Sequence, residues 1–237
     1  MYHDKDVADK RPEVILALDV DNRKQAEKII QATGDKLQWV KVGLQSYLRD
    51  GADLVRTIAD SGKKVFLDLK LHDIPNTMAK AIESLSELPI GMLTLHAHAG
   101  EEALQRCTQT GKEVLPDTLF LAVTVLTSMD QSALSSVGVQ STVLEQVERL
   151  ARLANQSKVG GLVCSPHELV HLRACLSPQT KMITPGIRPA GSPFGDQKRI
   201  MTPAEAKQAG ADYLVIGRPI LAAAAPALAL ASIMAEL

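Results

Sequence analysis

No apolar run in the chain reaches the roughly 18 residues that would suggest a membrane span, and its charge-bearing opening, Met1 to Arg11, does not read as a secretory leader. The expected compartment is the cytoplasm. An excess of one charge is also lacking: 26 basic and 27 acidic side chains leave a formal net charge of -1, so no overall field recruits nucleic acid or an anionic membrane. Any anionic ligand must then be held by a local site. Cysteine is scarce, and Cys107, Cys164 and Cys175 are odd in number and lack metal-ligand spacing, so they read as reduced structural thiols. Linkers, low-complexity tracts and short repeats are missing too, and a single domain over residues 1–237 is expected.

What is present is an alternation of short β-rich runs with longer helical ones. The strand-like segments are 14–20, 37–43, 64–70, 91–97, 118–126, 159–164, 181–184 and 212–217. Helical patterns fall between them, for example over 23–33, 77–88, 101–113, 141–155 and 166–176. Strict alternation argues for parallel strands with right-handed crossovers. Eight strands in 237 residues point to one (β/α)8 TIM barrel, a fold of typically about 250 residues. One connection stands apart, GIRPAGSPFGDQK over 186–198, whose glycines and prolines between the last two strands suggest a binding loop or lid.

Barrel active sites lie at the C-terminal ends of the strands, and several apolar strands here end in charge. VILALDV closes with Asp19, LQWVKVG carries Lys41, and KVFLDLK carries Asp68 and Lys70, followed by His72 and Asp73. Alternation along a strand puts Phe66, Asp68 and Lys70 on one face, so an inward Phe66 would aim both charges into the barrel mouth. Charges that leave water need partners, and acids and bases occur here in near-equal number at one end of the barrel. At the far end of the chain, Gly217 followed by Arg218-Pro219 suits an anion site, with Arg188 arriving on the long loop. Thr127 and Ser128 read as the end of the fifth strand. His72, His96 and His98 could be metal ligands, but hydrogen-bonded histidines beside the core are the more common outcome.

The segment FLDLKLHDIPNT, 66–77, contains the complete pattern D-x-K-x-x-D-I-P-N-T and resembles the signature of orotidine 5'-phosphate decarboxylases. The resemblance continues through ALDV (17–20), VKVGL (40–44), LHA (95–97), TVLTS (124–128), TPGIRP (184–189), GDQKRIMTP (195–203) and YLVIGRPI (213–220). His98 stands where many relatives carry serine. The resemblance implies decarboxylation of orotidine 5'-phosphate to uridine 5'-phosphate in pyrimidine biosynthesis, without metal or organic cofactor. It implies that Lys41, Asp68, Lys70 and Asp73 form the catalytic array, with Lys70 as proton donor to C6. Asp19 and Lys41 would meet the ribose hydroxyls and Thr127 the ribose or pyrimidine, while Arg188, Gln197, Gly217 and Arg218 would bind the 5'-phosphate. It further implies a homodimer in which Asp73 and Thr77 of one subunit complete the site of the other.

The competing enzymatic reading is a metal-dependent sugar-phosphate decarboxylase or aldolase of the same barrel superfamily, resembling 3-keto-L-gulonate 6-phosphate decarboxylase. That group shares D-x-K-x-x-D but carries an acid in the place of Lys41, as a divalent ion requires. A noncatalytic phosphate-ligand sensor on the same barrel is the third possibility, because fold alone does not give function.

Overall fold

A computed structural model describes residues 11–189 and 200–237. The chain forms β1 (Glu13–Ala17), α1 (Arg23–Thr33), β2 (Trp39–Gly43), α2 (Leu44–Asp60, broken at Gly51), β3 (Lys64–Leu71), α3 (Pro75–Ser84), β4 (Ile90–His96) and α4 (Glu101–Val114). It continues with β5 (Leu119–Val123), α5 (Gln131–Ser136), α6 (Val143–Gln156), β6 (Gly161–Val163), α7 (Leu169–Cys175), β7 (Lys181–Thr184), α8 (Pro203–Gln208), β8 (Tyr213–Ile216), α9 (Arg218–Leu221) and α10 (Pro226–Ala235). The eight strands pair in parallel and in sequence order, and β8 closes on β1 through pairs such as Ile15 with Val215. This is the (β/α)8 barrel expected from the alternation.

Local chemistry sets the helix boundaries. Asn22 accepts a hydrogen bond from the Gln25 amide at the start of α1, and Thr142 with Glu145 forms a reciprocal capping box at α6, as Thr202 with Glu205 does at α8. Pro75 occupies the first turn of α3, where its missing N–H costs nothing, so that helix begins two residues before the expected Thr77.

The barrel interior is a layer of alternate strand residues: Ile15, Ala17, Trp39, Phe66, Met92, Leu121, Ile183 and Val215. Phe66 is almost fully buried, and its truncation to alanine would cost about 3–5 kcal/mol. The second apolar layer, between strands and helices, is built from the opposite strand faces, including Leu16, Val40, Leu67, Leu93 and Leu214. Because Phe66 points inward, period-two alternation carries Asp68 and Lys70 upward into the mouth.

Candidate active site

The mouth encloses a cavity of about 520 Å³, lined by Asp19, Lys41, Asp68, Lys70, Thr127, Arg188, Gly217 and Arg218 together with apolar residues such as Phe66, Val125 and Val215. That volume lies in the range of small-molecule sites. At its floor Asp68 is only 8% exposed, yet it lies between two ammonium groups. Lys70 Nζ is 2.8 Å from Asp68 Oδ1, and Lys41 Nζ is 3.5 Å from Asp68 Oδ2 and 3.2 Å from Asp19 Oδ1. Burial alone would raise the Asp68 pKa. The charges of Lys41 and Lys70, with hydrogen bonds from Lys70 and Thr94, outweigh it and hold the carboxyl below its ordinary value.

Gly43 keeps that network open. A Cβ there would approach Lys41 Nζ to 2.9 Å and Asp19 Oδ1 to 3.1 Å, so any larger residue would have to displace the ion pair. Sequence reasoning named Lys41 without noticing this neighbour on the same strand face. It also missed Thr94, which is fully buried on β4 and donates to Asp68 Oδ1 at 3.0 Å. The alternation that flagged Asp68 would have flagged Thr94 as well, because Met92 below it points inward.

Two guanidinium groups mark the opposite side of the cavity. Arg188 is 7% exposed, and burial followed by the nearby Arg218 charge lowers its pKa. Its backbone N–H donates to Met201 O at 2.9 Å, and Ile187 bridges to Met201, so the base of the long connection is clamped to the start of α8. Two like charges facing one cavity favour an anion between them. Gly217 directly precedes Arg218, the first residue of α9.

Three expectations need placing or correcting. Thr127 does line the cavity, but it lies in a turn four residues beyond the end of β5 at Val123 rather than in the strand. The last bonds from β5 to β6 are those of the Thr124 amide and hydroxyl, both donating to Val163 O at 3.3 Å, and pairing ends there. Asp73 and Thr77 are both exposed and do not line the cavity; the Asp73 carboxylate accepts from the Ile74 amide at 2.7 Å. Gln197, with the 190–198 part of the long connection, lies outside the described residues.

The histidines form a row instead of converging on one point, with His72 stacked on His96 and His98 tilted against it. His72 and His96 have ring centroids 5.1 Å apart, and His96 and His98 5.2 Å. Burial, with the neighbouring cationic groups, pushes the His96 pKa down to about 4. Among the described residues, the one group of three potential ligand atoms that converge is Glu148, His171 and Cys175, on the outer helices α6 and α7. Its carboxylate is already paired, with Arg152 and His171 each 2.7 Å away.

A closed parallel barrel with an ion-paired carboxylate on its floor and paired arginines at its rim defines a barrel enzyme for a small anionic substrate. A family model described as "Orotidine 5'-phosphate decarboxylase / HUMPS family" matches residues 12–233, and the chain belongs to that family. An orotidine 5'-phosphate decarboxylase of Opitutus terrae is 48% identical over 225 residues, covering 95% of this chain and 98% of that protein. One of Mannheimia succiniciproducens is 45% identical over 228 residues, covering 94% and 96%. Among solved structures, orotidine 5'-phosphate decarboxylase from Lactobacillus acidophilus superposes with a TM-score of 0.85 at 35% identity, covering 95% of this chain and 98% of that one.

Proposed function

We propose that this chain is a carboxy-lyase that converts orotidine 5'-phosphate to uridine 5'-phosphate, as a step of pyrimidine biosynthesis. One observation carries the reading: a buried, ionised Asp68 held between Lys41 and Lys70 in a cavity that Arg188 and Arg218 also line.

Substrate binding would set the phosphate against Arg188, Gln197, Gly217 and Arg218, with Asp19 and Lys41 at the ribose hydroxyls and Thr127 near the ribose or pyrimidine. The pyrimidine carboxylate then meets the Asp68 carboxylate. Two like charges about 4 Å apart repel by roughly 4 kcal/mol at an effective dielectric near 20, and loss of carbon dioxide removes that repulsion. The C6–carboxylate bond breaks with its electron pair left on C6, in the ring plane, where the π system cannot accept it. A fixed cation must stabilise that pair, and the Lys70 ammonium does so before giving its proton to C6. Solvent later returns a proton to Lys70. No step calls for a metal or an organic cofactor.

Asp73 completes the catalytic array from a second subunit in this reading. Asp73 and Thr77 sit outside their own cavity, and Ile74 between them is 66% exposed, which supports a two-fold homodimer in which each copy completes the other's site. The whole chain, 1–237, acts as one catalytic domain in the cytoplasm, with no nucleic-acid or membrane partner; no helix among the described residues is long and apolar enough to cross a membrane.

The metal-dependent sugar-phosphate reading is disfavoured by Lys41. Its ammonium, 3.5 Å from Asp68, opposes a divalent ion at the place where one would need carboxylate oxygens. The test is turnover of orotidine 5'-phosphate, followed by loss of pyrimidine absorbance, with and without chelator. Turnover that survives the chelator supports the reading; turnover of a sugar phosphate alone, lost with the chelator, rejects it.

A further inference from the structure

Among the described residues, two non-glycine residues adopt positive φ: Lys158, just after α6, and Lys70, with φ 49° inside β3. A lysine pays strain for that left-handed conformation, and strain at a site persists only where the surroundings enforce it. The enforcement is visible in the pairing of β3 with β4. Leu67 pairs with Leu93 and Leu71 with Leu95, so β3 advances four residues where β4 advances two, and the register breaks across Asp68, Leu69 and Lys70. Thr94 is the single β4 residue facing that break. Its hydroxyl accepts the Lys70 amide hydrogen at 2.8 Å and donates its own hydrogen to Asp68 Oδ1 at 3.0 Å. The side chain is 0% exposed, so water does not compete for either bond.

From this geometry we infer that Thr94 is a positioning residue, whose hydroxyl stands in for the missing ladder carbonyl and holds the proton donor and its flanking acid in one fixed relation. It acts on Lys70 through the backbone and on Asp68 through the carboxylate. The inference rests on the decarboxylase reading for its kinetic consequence, but not for its structural one.

Two variants and two readouts test it. Thr94→Val keeps the shape and removes the hydroxyl; Thr94→Ser keeps the hydroxyl. The valine variant should lose about 10- to 100-fold in kcat, the scale of a small misplacement of reacting groups. Its Kd for uridine 5'-phosphate should stay within about twofold, because the phosphate site is untouched. Hydrogen exchange at the Lys70 amide should accelerate at least about tenfold as its acceptor is lost. The serine variant should restore all three. Wild-type kcat in Thr94→Val, a serine variant as slow as the valine one, or product affinity falling in step with kcat would each overturn the inference. Should wild-type protein fail to turn over orotidine 5'-phosphate while the Lys70 amide is protected and Thr94→Val releases it, the functional reading fails and the positioning geometry stands.

Discussion

Lys41 and Asp68 form an ion pair in which each side chain is only about a tenth exposed, 10% and 11%. Lys41 also reaches Asp19, so one ammonium serves two carboxylates. Taking one partner from a buried pair costs about 3–5 kcal/mol, because the remaining charge is left uncompensated. Lys41→Met should fall at the low end of that range, since Lys70 and Thr94 still hold Asp68. Urea unfolding at neutral pH measures this. An unchanged midpoint would mean that the pair adds nothing to the folded state.

Arg218→Ala tests the other end of the cavity. Removing one guanidinium from the proposed phosphate site should raise the KM for orotidine 5'-phosphate, and it should also lower kcat if phosphate binding energy is used in the transition state. Steady-state kinetics separate the two effects. Unchanged kcat and KM together would remove Arg218 from the site.

His96 makes stability depend on pH in a predictable direction. Its folded pKa, about 4, lies below the ordinary histidine value of 6.5, so the unfolded chain binds the proton more readily. The folded state therefore loses stability as pH falls from about 6.5 toward 4. For a half-buried ring the loss between pH 7 and pH 5 should be on the order of 1 kcal/mol after solvent screening. His96→Gln should lessen the decline of the urea midpoint across that interval. An equally steep decline in the variant would assign it to other groups.

Much of this site was legible in the sequence because a strand's period of two is rigid. Once Phe66 faces inward, Asp68 and Lys70 follow, and the barrel fold places them at its mouth. Alternation could not reveal the left-handed backbone at Lys70, which goes with a register break between β3 and β4 that neither strand's own pattern shows. Alternation from an inward Met92 puts Thr94 on the inner face, but its two hydrogen-bond partners on β3 cannot be read from GMLTLH alone. Strand ends were the least certain feature: β6 covers Gly161–Val163 rather than 159–164, since only those residues keep partners on both sides.

Subunit sharing has its own test. Lys70→Ala and Asp73→Ala are each expected to be inactive, and mixing them under exchange conditions gives about half mixed dimers by random pairing. If sites are shared, each mixed dimer has one intact site, and activity should return to roughly a quarter of wild type. Verified exchange without recovery would place Asp73 in its own subunit's site.

The central claim is that Lys70 protonates the C6 carbanion left when carbon dioxide departs. The most direct measurement runs the reaction in deuterium oxide and reads the product by proton NMR, with wild-type protein and Lys70→Ala side by side. The account expects wild-type uridine 5'-phosphate with a single deuterium at C6, and no turnover by Lys70→Ala despite measurable binding of the product nucleotide. Near-normal turnover by Lys70→Ala, or no decarboxylation by the wild-type protein, would contradict it.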